Sequence, residues 1–584
     1  MQKTWVVAPP VPALEALQFP EIHPTVLQIL WNRGIKTQSE MDLFLSPDWS
    51  RDVCDPALFT QMPAAVARVF NALENGEVIT VHGDYDADGV CGSTVLMSTL
   101  RELREKGIGR ADGAVATIFL PHREKDGYGL SVKTVEHLHA NEKTNLIITV
   151  DCGISNVEAI ARAGELGMDV IVCDHHQMPP ELPKAILLHP LVPGETFPNK
   201  KLCGTGVAFK LACGLIEEAR KSNPEAFPEG HEKWLLDLVA IATVTDVMPI
   251  LGENRLLEKF GLVVLNKTKR VGLKALLKAA GVEGKSLDTW SIGFQIGPRI
   301  NAAGRMNHAN AAFNLLMCED PAEADQLALA LNVSNTDRQK ASEEMYQAAK
   351  AQIGEPGDRK ILFAVGDGWP AGLVGLVAGK LMNDFQKPVF VVGKNEEGKY
   401  TGSGRSLHGF DVTAAMKNAA HTLLRFGGHP QACGMSTDTK EKLDAFMQSM
   451  SEQADAYFAV NDGTPTLNID GDVPLQNVDW QLIESIEKLE PFGEGNPKPL
   501  FMRAGLSVVS ADSLGAEGKH MRLTVKDEAS ERRCKFVAFR FGEWVQKLKT
   551  GDKVDVVFEA GINEWNGNRE IQLRVVDLRY AQES

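Results

Sequence analysis

Between residues 77 and 175 the chain alternates short apolar runs with stretches of helical periodicity. The apolar runs fall at 78–81, 115–120, 146–150 and 170–173, and 185–188 is a further candidate strand. Residues 90–105, 131–140 and 155–166 between them carry apolar positions at helical spacing. Short continuous apolar runs separated by helical stretches predict an α/β fold built on a parallel sheet with helices on both faces.

The pattern changes along the chain. "KSNPEAFPEGHEK" (221–233) is a polar, Pro-rich interruption and reads as a surface loop. "WLLDLVAIATVTDVMP" (234–249) reads as a helix stopped by Pro249. Residues 320–352 predict a long helix opening at Pro321, where the fixed φ of proline suits the first helical position. A second α/β pattern follows from Ile361 with "ILFAV", "GLVGLVAGKLM" and "PVFVV". The last 120 residues or so turn β-rich, with "RLTV", "CKFVAF", "KVDVVFEA" and "EIQLRVVDLR", and predict a small barrel or sandwich. "GEPGDRK" (354–360) and "NDGTPT" (461–466) mark junctions. The expected division is an N-terminal region (1–60), a catalytic-type α/β domain (61–315), a connecting helix (316–356), a smaller α/β domain (357–462) and a β domain (463–584). The first 60 residues carry no interpretable motif.

Composition narrows the class. The chain has 584 residues, 44% of them hydrophobic and 24% charged, which is ordinary for a globular protein with several cores. Its nine cysteines are scattered without a C-x-x-C pair, a usage that fits reduced thiols and a cytoplasmic location. No secretory h-region and no apolar run of about 18 residues is present, so neither a signal peptide nor a membrane span is expected. The net charge of −16 argues against a basic protein that coats nucleic acid. It leaves room for a nucleic-acid enzyme, because metal sites need carboxylates and a positive surface can be confined to one groove.

The acidic residues sit where strands end. Asp84, Asp86 and Asp88 follow the run at 78–81, Asp151 follows "NLIITV", and Asp174-His175-His176 follows "DVIVC". In an open parallel sheet the C-terminal strand ends form the ligand crevice. Like charges gathered there repel unless cations sit among them. Imidazole with carboxylate suits Mn²⁺ well and tolerates Mg²⁺, and the absence of cysteine ligands argues against structural zinc. Asp246, at the end of a helix, is a further candidate ligand. For any one of these residues an N-cap is the alternative reading, and Asp88, before "GVCGSTVLMSTL", is well placed to cap.

"HGDYDADG" (82–89), "DCG" (151–153), "DHH" (174–176) and "TVTDVMP" (243–249), in this order, resemble the DHH phosphoesterase superfamily. "LPHREKDGYG" (120–129), "GPRINAAGRM" (297–306), "GSGRSLHGFD" (402–411), "RFGGHPQACG" (425–434) and "LEPFGEGNPKP" (489–499) narrow the resemblance to the RecJ family of bacterial single-stranded-DNA-specific 5′→3′ exonucleases. One departure is Pro370 in "DGWPAG", where family members usually carry His.

The resemblance implies a parallel-sheet DHH domain, a DHH-associated domain and an OB-like barrel. It also implies two divalent metal ions, Mn²⁺ or Mg²⁺, that hydrolyse phosphodiesters to 5′-mononucleotides in recombination and repair. By carry-over, one ion takes His82, Asp86 and Asp151. The other takes Asp88, Asp151, His175 and Asp246, with Asp151 bridging. Asp84 is a surrounding group, and Asp174 and His176 orient ligands or manage protons. Arg123, Ser403 and Arg405 match a 5′-phosphate pocket. His429 matches a substrate-facing motif, and Arg299 and Asn301 a scissile-phosphate clamp. Tyr128 is a candidate for stacking on a base, against the alternative of a Tyr packed at a turn. Lys519, Arg522, Arg532, Arg533, Lys535 and Arg540 fit the barrel as the single-strand platform the resemblance implies, against the alternative of charges on the outer face of an exposed strand. Expected partners are single-stranded DNA with a 5′ end, single-strand-binding protein and a RecQ-type helicase, with no membrane. Two other functions fit part of the pattern. A DHH phosphodiesterase acting on short oligonucleotides or cyclic dinucleotides would lack the C-terminal barrel. A non-catalytic DNA-binding scaffold would have lost metal ligands.

Overall fold

The computed structural model describes residues 3–581 apart from 111, 112, 114, 115, 124, 408, 566 and 567. The chain divides into two compact units: Cys54–Met248 with Leu257–Thr464, and Met1–Val53 with Pro249–Leu256 and Pro465–Ser584.

The larger unit contains the expected parallel sheet. Its strands are β1 (Ile79–Gly83), β2 (Thr117–Phe119), β3 (Leu146–Val150), β4 (Asp169–Cys173) and β5 (Ile186–Leu188), in the order β2-β1-β3-β4-β5. Every pairing is parallel. All residues of β1 and β3 are buried, as their unbroken apolar runs require of a sheet covered on both faces. Val115, expected in the second strand, lies outside the described residues. The register sets Gly83 beside Val150 and Val150 beside Cys173. The residues that follow, Asp84, Asp151 and Asp174, are therefore delivered to one edge.

Helices flank this edge. Helix α1 (Ala87–Glu105) is capped by Asp86, whose Oδ1 accepts from the Asp88 and Gly89 amides at 2.9 and 3.2 Å. The cap is thus two residues earlier than Asp88, because the Asp88 carboxylate is engaged elsewhere. Helix α2 spans Gly204–Ser222. Helix α3 (Leu236–Thr245) ends on Asp246. A π-turn at Ile292–Ile296 leads into α4 (Gly297–Met306). The long helix α5 (Pro321–Ile353) starts at the predicted proline, capped by Asp320.

Beyond α5 lies a mixed sheet of β6 (Leu362–Asp367), β7 (Val389–Lys394), β8 (Tyr400–Arg405), β9 (Arg425–His429) and β10 (Ala432–Thr437), in the order β9-β10-β8-β7-β6. Helix α6 (Ala371–Phe385) packs against it, and Pro370 occupies its N-cap position.

The smaller unit is built on a closed barrel of β11 (Phe501–Leu514), β12 (His520–Asp527), β13 (Arg532–Ala538), β14 (Lys553–Trp565) and β15 (Asn568–Tyr580). The order is β11-β12-β13-β15-β14, and a β11–β14 pairing closes the ring. The first residues of the chain join this unit. Thr4–Val7 pairs in parallel with Thr466–Ile469, and Val26, Leu27, Ile29 and Leu30 enter the barrel's core cluster. Buried Arg255 ties the parts together. Its guanidinium donates to the carbonyls of Phe44 (2.7 Å), Leu489 (2.9 Å) and Glu490 (2.7 Å) and lies over the Phe44 ring. Of the basic residues expected to mark the barrel's binding face, Arg532 bonds the Gln476 and Val478 carbonyls within this unit.

Candidate metal centre and substrate cleft

The strand-end residues converge. His175 Nε2 lies 3.1 Å from Asp151 Oδ1, 3.5 Å from Asp246 Oδ2 and 3.8 Å from Asp88 Oδ2. Ligand atoms fall within 4.8 Å of one another in three overlapping groups: Asp88–His175–Asp246, Asp151–His175–His176 and Asp84–Asp86–Asp151. Asp151 belongs to two of them. It holds a left-handed backbone (φ 60°), rare outside glycine, and Gly204 makes room for it. A Cβ at position 204 would stand 2.5 Å from the Asp151 Cβ.

Asp88 is fixed by the start of α2. Its two oxygens accept from the Gly204 and Thr205 amides, each at 2.7 Å. A helix N-terminus is a favourable place for a carboxylate, and lone pairs remain on both oxygens. Asp174 orients the histidines. It accepts from the His175 amide (2.7 Å), the Ile154 amide (2.9 Å) and His176 Nδ1 (2.8 Å). Tyr128 donates its hydroxyl to the Asp151 carbonyl at 3.0 Å and lies 3.3 Å from His176 Nε2. Its ring meets Tyr85 and His176 edge-on.

The electrostatics show what the cluster lacks. Burial, reinforced by neighbouring carboxylates, pushes Asp84, Asp151 and Asp246 well above the usual carboxylate range. Burial pushes His82 down to about 4. Asp174 goes the other way: burial opposes its ionisation, but the His176 hydrogen bond holds it well below the usual range. His82 Nε2, Asp84 Oδ1 and Asp246 Oδ2 are buried without a hydrogen-bond partner. Crowded carboxylates with unpartnered oxygen and imidazole donors fit divalent cations. His82 is outside the three groups within 4.8 Å, whereas Asp84 is inside one.

Arginines line the adjoining cleft between the two α/β lobes. Arg123 lies over the Tyr85 ring at 3.9 Å, with its Nε buried and unpartnered. Arg405 Nη1 donates to Ser403 Oγ (2.7 Å), which in turn donates to the Cys433 carbonyl (2.8 Å). Arg305 donates to the Gly372 carbonyl at 2.8 Å. Burial, reinforced by Arg123, Arg338 and Arg405, brings Arg305 down to about 10, while Asp86 opposes that shift. Arg338 lies within electrostatic reach of Arg299. Among the described residues, none of Arg123, Arg299, Arg305, Arg338 and Arg405 pairs with a carboxylate at salt-bridge distance. Unpaired guanidinium groups gathered in a cleft call for an anion.

The other expected residues are placed as follows. Asn301 Oδ1 accepts from the Ala87 amide at 2.9 Å and so steadies the turn carrying Asp86 and Asp88. Arg299 turns to α5, donating to Asn332 Oδ1 (3.0 Å) and to the Gln295 carbonyl (2.5 Å). His429, at the end of the fully exposed β9, faces Gln177 across the cleft at 3.3 Å. Sequence reasoning passed over Arg305 and Arg338. Arg305 stood in the quoted "GPRINAAGRM", six residues along the helix from Arg299. Arg338 had no signal, being one charge on a long polar helix face.

Comparisons with known proteins cover the whole of this architecture. The DHH family N-terminal domain matches residues 78–243, the DHHA1 domain residues 358–456 and the RecJ OB domain residues 469–577. The single-stranded-DNA-specific exonuclease RecJ of Bacillus subtilis is 36% identical over 564 residues, covering 96% of this chain and 68% of its own. That of Escherichia coli K12 is 30% identical over 579 residues, covering 96% of each. The crystal structure of RecJ in complex with Mn²⁺ from Thermus thermophilus superposes with a TM-score of 0.82 at 31% identity, over 99% of this chain and 80% of that one. A complex of the same protein with Mg²⁺ gives 0.75 at 29% identity over 99% and 79%. With these relatives matched across nearly its full length, and with a centre suited to Mn²⁺ or Mg²⁺, the chain belongs to the RecJ family.

Proposed function

We propose that this protein is a metal-dependent, single-stranded-DNA-specific exonuclease that works 5′→3′, releases 5′-mononucleotides and serves DNA recombination and repair. The observation that carries the reading is the meeting of two features in one cleft. Carboxylates and one imidazole with unpartnered buried atoms stand beside arginines that, among the described residues, lack carboxylate partners.

In this reading His82, Asp86 and Asp151 hold one divalent ion, with Asp84 beside them, and Asp88, Asp151, His175 and Asp246 hold the other. Held there, such a pair would supply an activated water and charge stabilisation for an in-line displacement at phosphorus. The protein's own groups do the rest. Asp174 fixes the ring of His176, which exchanges protons through Nε2 beside the Tyr128 hydroxyl. Ser403, Arg405 and Arg123 take a terminal 5′-phosphate, and Arg305, reaching toward Asp86, takes a phosphate nearer the metals. Asn301 keeps the Asp86–Asp88 turn in place, and Arg299 and His429 approach the strand from either lobe.

The domain division given above is part of this proposal, with the C-terminal barrel as the single-strand platform. So is a cytoplasmic location. All nine cysteines are free thiols, and no helix of the described residues is long and apolar enough to cross a membrane. Single-strand-binding protein and a RecQ-type helicase that unwinds duplex are the proposed partners.

The test compares a 5′-phosphorylated single strand with the same sequence as a blunt duplex, each with Mn²⁺, Mg²⁺ or chelator. Degradation confined to the single strand and abolished by chelator is expected. Equal attack on the duplex would overturn the reading.

A further inference from the structure

The carboxylates gathered at the metal centre are not all held in the same way. Those of Asp86 and Asp88 accept from backbone amides, which fix them. No hydrogen bond holds Asp246 Oδ2, which is buried without a partner. The place of Asp246 is therefore set by its backbone, which caps the C-terminus of α3. The chain then leaves the larger unit within three residues: Pro249–Leu256 belongs with the barrel, and Leu257 returns. The return is made by a helix, Gly252–Leu265, that runs back along α3. A Cβ at its Gly261 would stand 2.7 Å from the Ala240 Cβ and from the Leu236 carbonyl oxygen. Asp246 thus sits where a helical hairpin enters its turn.

The turn is gripped by the smaller unit. The Ile250 amide donates to the Glu494 carbonyl at 2.7 Å, and the Ile250 side chain is buried. Gly493 and Gly495 lie against the same turn. A Cβ at Gly493 would meet Ile250 Cγ1 at 2.9 Å, and one at Gly495 would meet Pro249 Cβ at 3.3 Å. Arg255, in the first turn of the returning helix, donates to the Phe44, Lys488, Leu489 and Glu490 carbonyls. A planar guanidinium bonded on this many sides holds its segment in position and in orientation. Little slack separates the grip from Asp246. The Val247 amide bonds the Val244 carbonyl and the Met248 amide bonds the Thr243 carbonyl, closing α3 on a left-handed residue. The gripping loop is the "LEPFGEGNPKP" stretch (489–499), to which the metal and phosphate sites assign no role.

We propose that Ile250, Arg255 and the Gly493–Gly495 loop are positioning residues for Asp246, so that the smaller unit sets one metal position through the hairpin turn. Losing a group that orients a ligand weakens metal binding by roughly 10–100-fold. A centre must hold its donors to within about 0.5 Å, and a rigid tether does this for a carboxylate oxygen that no amide holds. The smaller unit then has a use that does not require it to touch DNA. The inference rests on the reading of Asp246 as a metal ligand.

The test counts free Mn²⁺ by its EPR signal in titrations of the full chain without DNA, beside thermal melts and single-strand binding in chelator. Asp246→Asn is the control and should weaken one Mn²⁺ strongly. Gly493→Ala presses a methyl onto Ile250; it should weaken the same ion about tenfold and leave strand affinity unchanged. Adding Ile250→Ala makes room for that methyl and should restore Mn²⁺ binding to within about twofold. Arg255→Lys keeps the charge, loses the fork and should repeat the weakening, so the comparison stands even where Gly493→Ala fails to fold. A folded Gly493→Ala or Arg255→Lys variant that melts lower yet binds Mn²⁺ as the wild type does overturns the positioning role alone; the grip then serves stability only. A wild type that binds no Mn²⁺, or an Asp246→Asn variant that binds it unchanged, overturns the metal reading together with the positioning role.

Discussion

His175 Nε2 stands 3.1 Å from Asp151 Oδ1, on the residue whose left-handed backbone turns its carboxylate into the cluster. In the absence of cations the carboxylates here repel, and burial holds Asp151 toward its neutral form. Asp151→Asn should therefore melt about 2–4 °C above the wild type in chelator. Mn²⁺ should raise the melting point of the wild type, because a ligand bound only by the folded state stabilises it, and leave the variant nearly unmoved. Thermal melts with and without Mn²⁺ check this. An equal Mn²⁺-induced rise in both proteins would remove Asp151 from the ligand set.

Asp88 has two jobs, and its removal should register twice. Asp88→Ala should abolish cleavage while the protein still binds single strands through the arginines and the barrel. It should also destabilise the larger unit by about 3 kcal/mol, because the Gly204 and Thr205 amides lose a buried charged acceptor. Cleavage, strand binding and urea unfolding measured on one preparation separate the two effects. Cleavage at the wild-type rate would defeat the metal assignment.

Polarity is assigned to the guanidinium that shares a hydrogen bond with Ser403. Arg405→Ala should reduce the preference for 5′-phosphorylated over 5′-hydroxyl strands by roughly tenfold, the order expected when a charge-assisted contact is lost. The ratio of kcat/KM on the two substrates reports it. An unchanged ratio would place the terminal phosphate elsewhere.

Glu258 lies apart from the cleft. It is fully buried, both carboxylate oxygens lack a partner, and burial pushes its pKa well above the usual range. The folded state therefore keeps a proton that the unfolded chain releases near pH 4.5. Stability contributed by the neutral form is present below that pH and is lost progressively as pH rises, at up to about 1.4 kcal/mol per pH unit until the folded group ionises. Glu258→Gln carries no such titration. Its melting point should overtake that of the wild type as pH rises from 5.5 to 8.5, and parallel curves would contradict a neutral Glu258.

The catalytic sheet was legible because parallel strands buried on both faces write themselves as unbroken apolar runs ending in Asp. The matches at β1, β3 and β4 follow from that. Strand β11 was not legible. Its "FMRAGLSVVSADSL" mixes Gly, Ser and Asp into a strand that bends through register shifts on both edges, so no clean alternation survives. The N-terminal residues gave no motif because their role is packing: Arg255, distant in sequence, bonds the Phe44 carbonyl and the "LEPFG" segment at once. Charge function was ambiguous one residue at a time. Asp86 and Asp88 both looked like caps and ligands, and only the placement of α2 shows which amides each one holds. Arg305 was invisible for the same reason, since burial without a carboxylate partner is a property of the folded chain.

The most direct measurement follows a 5′-labelled and a 3′-labelled copy of one 5′-phosphorylated single strand with Mn²⁺, Mg²⁺ or chelator. The account predicts that the 5′ label appears as mononucleotide from the first time point, that the 3′ label passes through a ladder of shortening strands, and that chelator stops both. A 5′ label that shortens through a ladder, or degradation that persists in chelator, would contradict it.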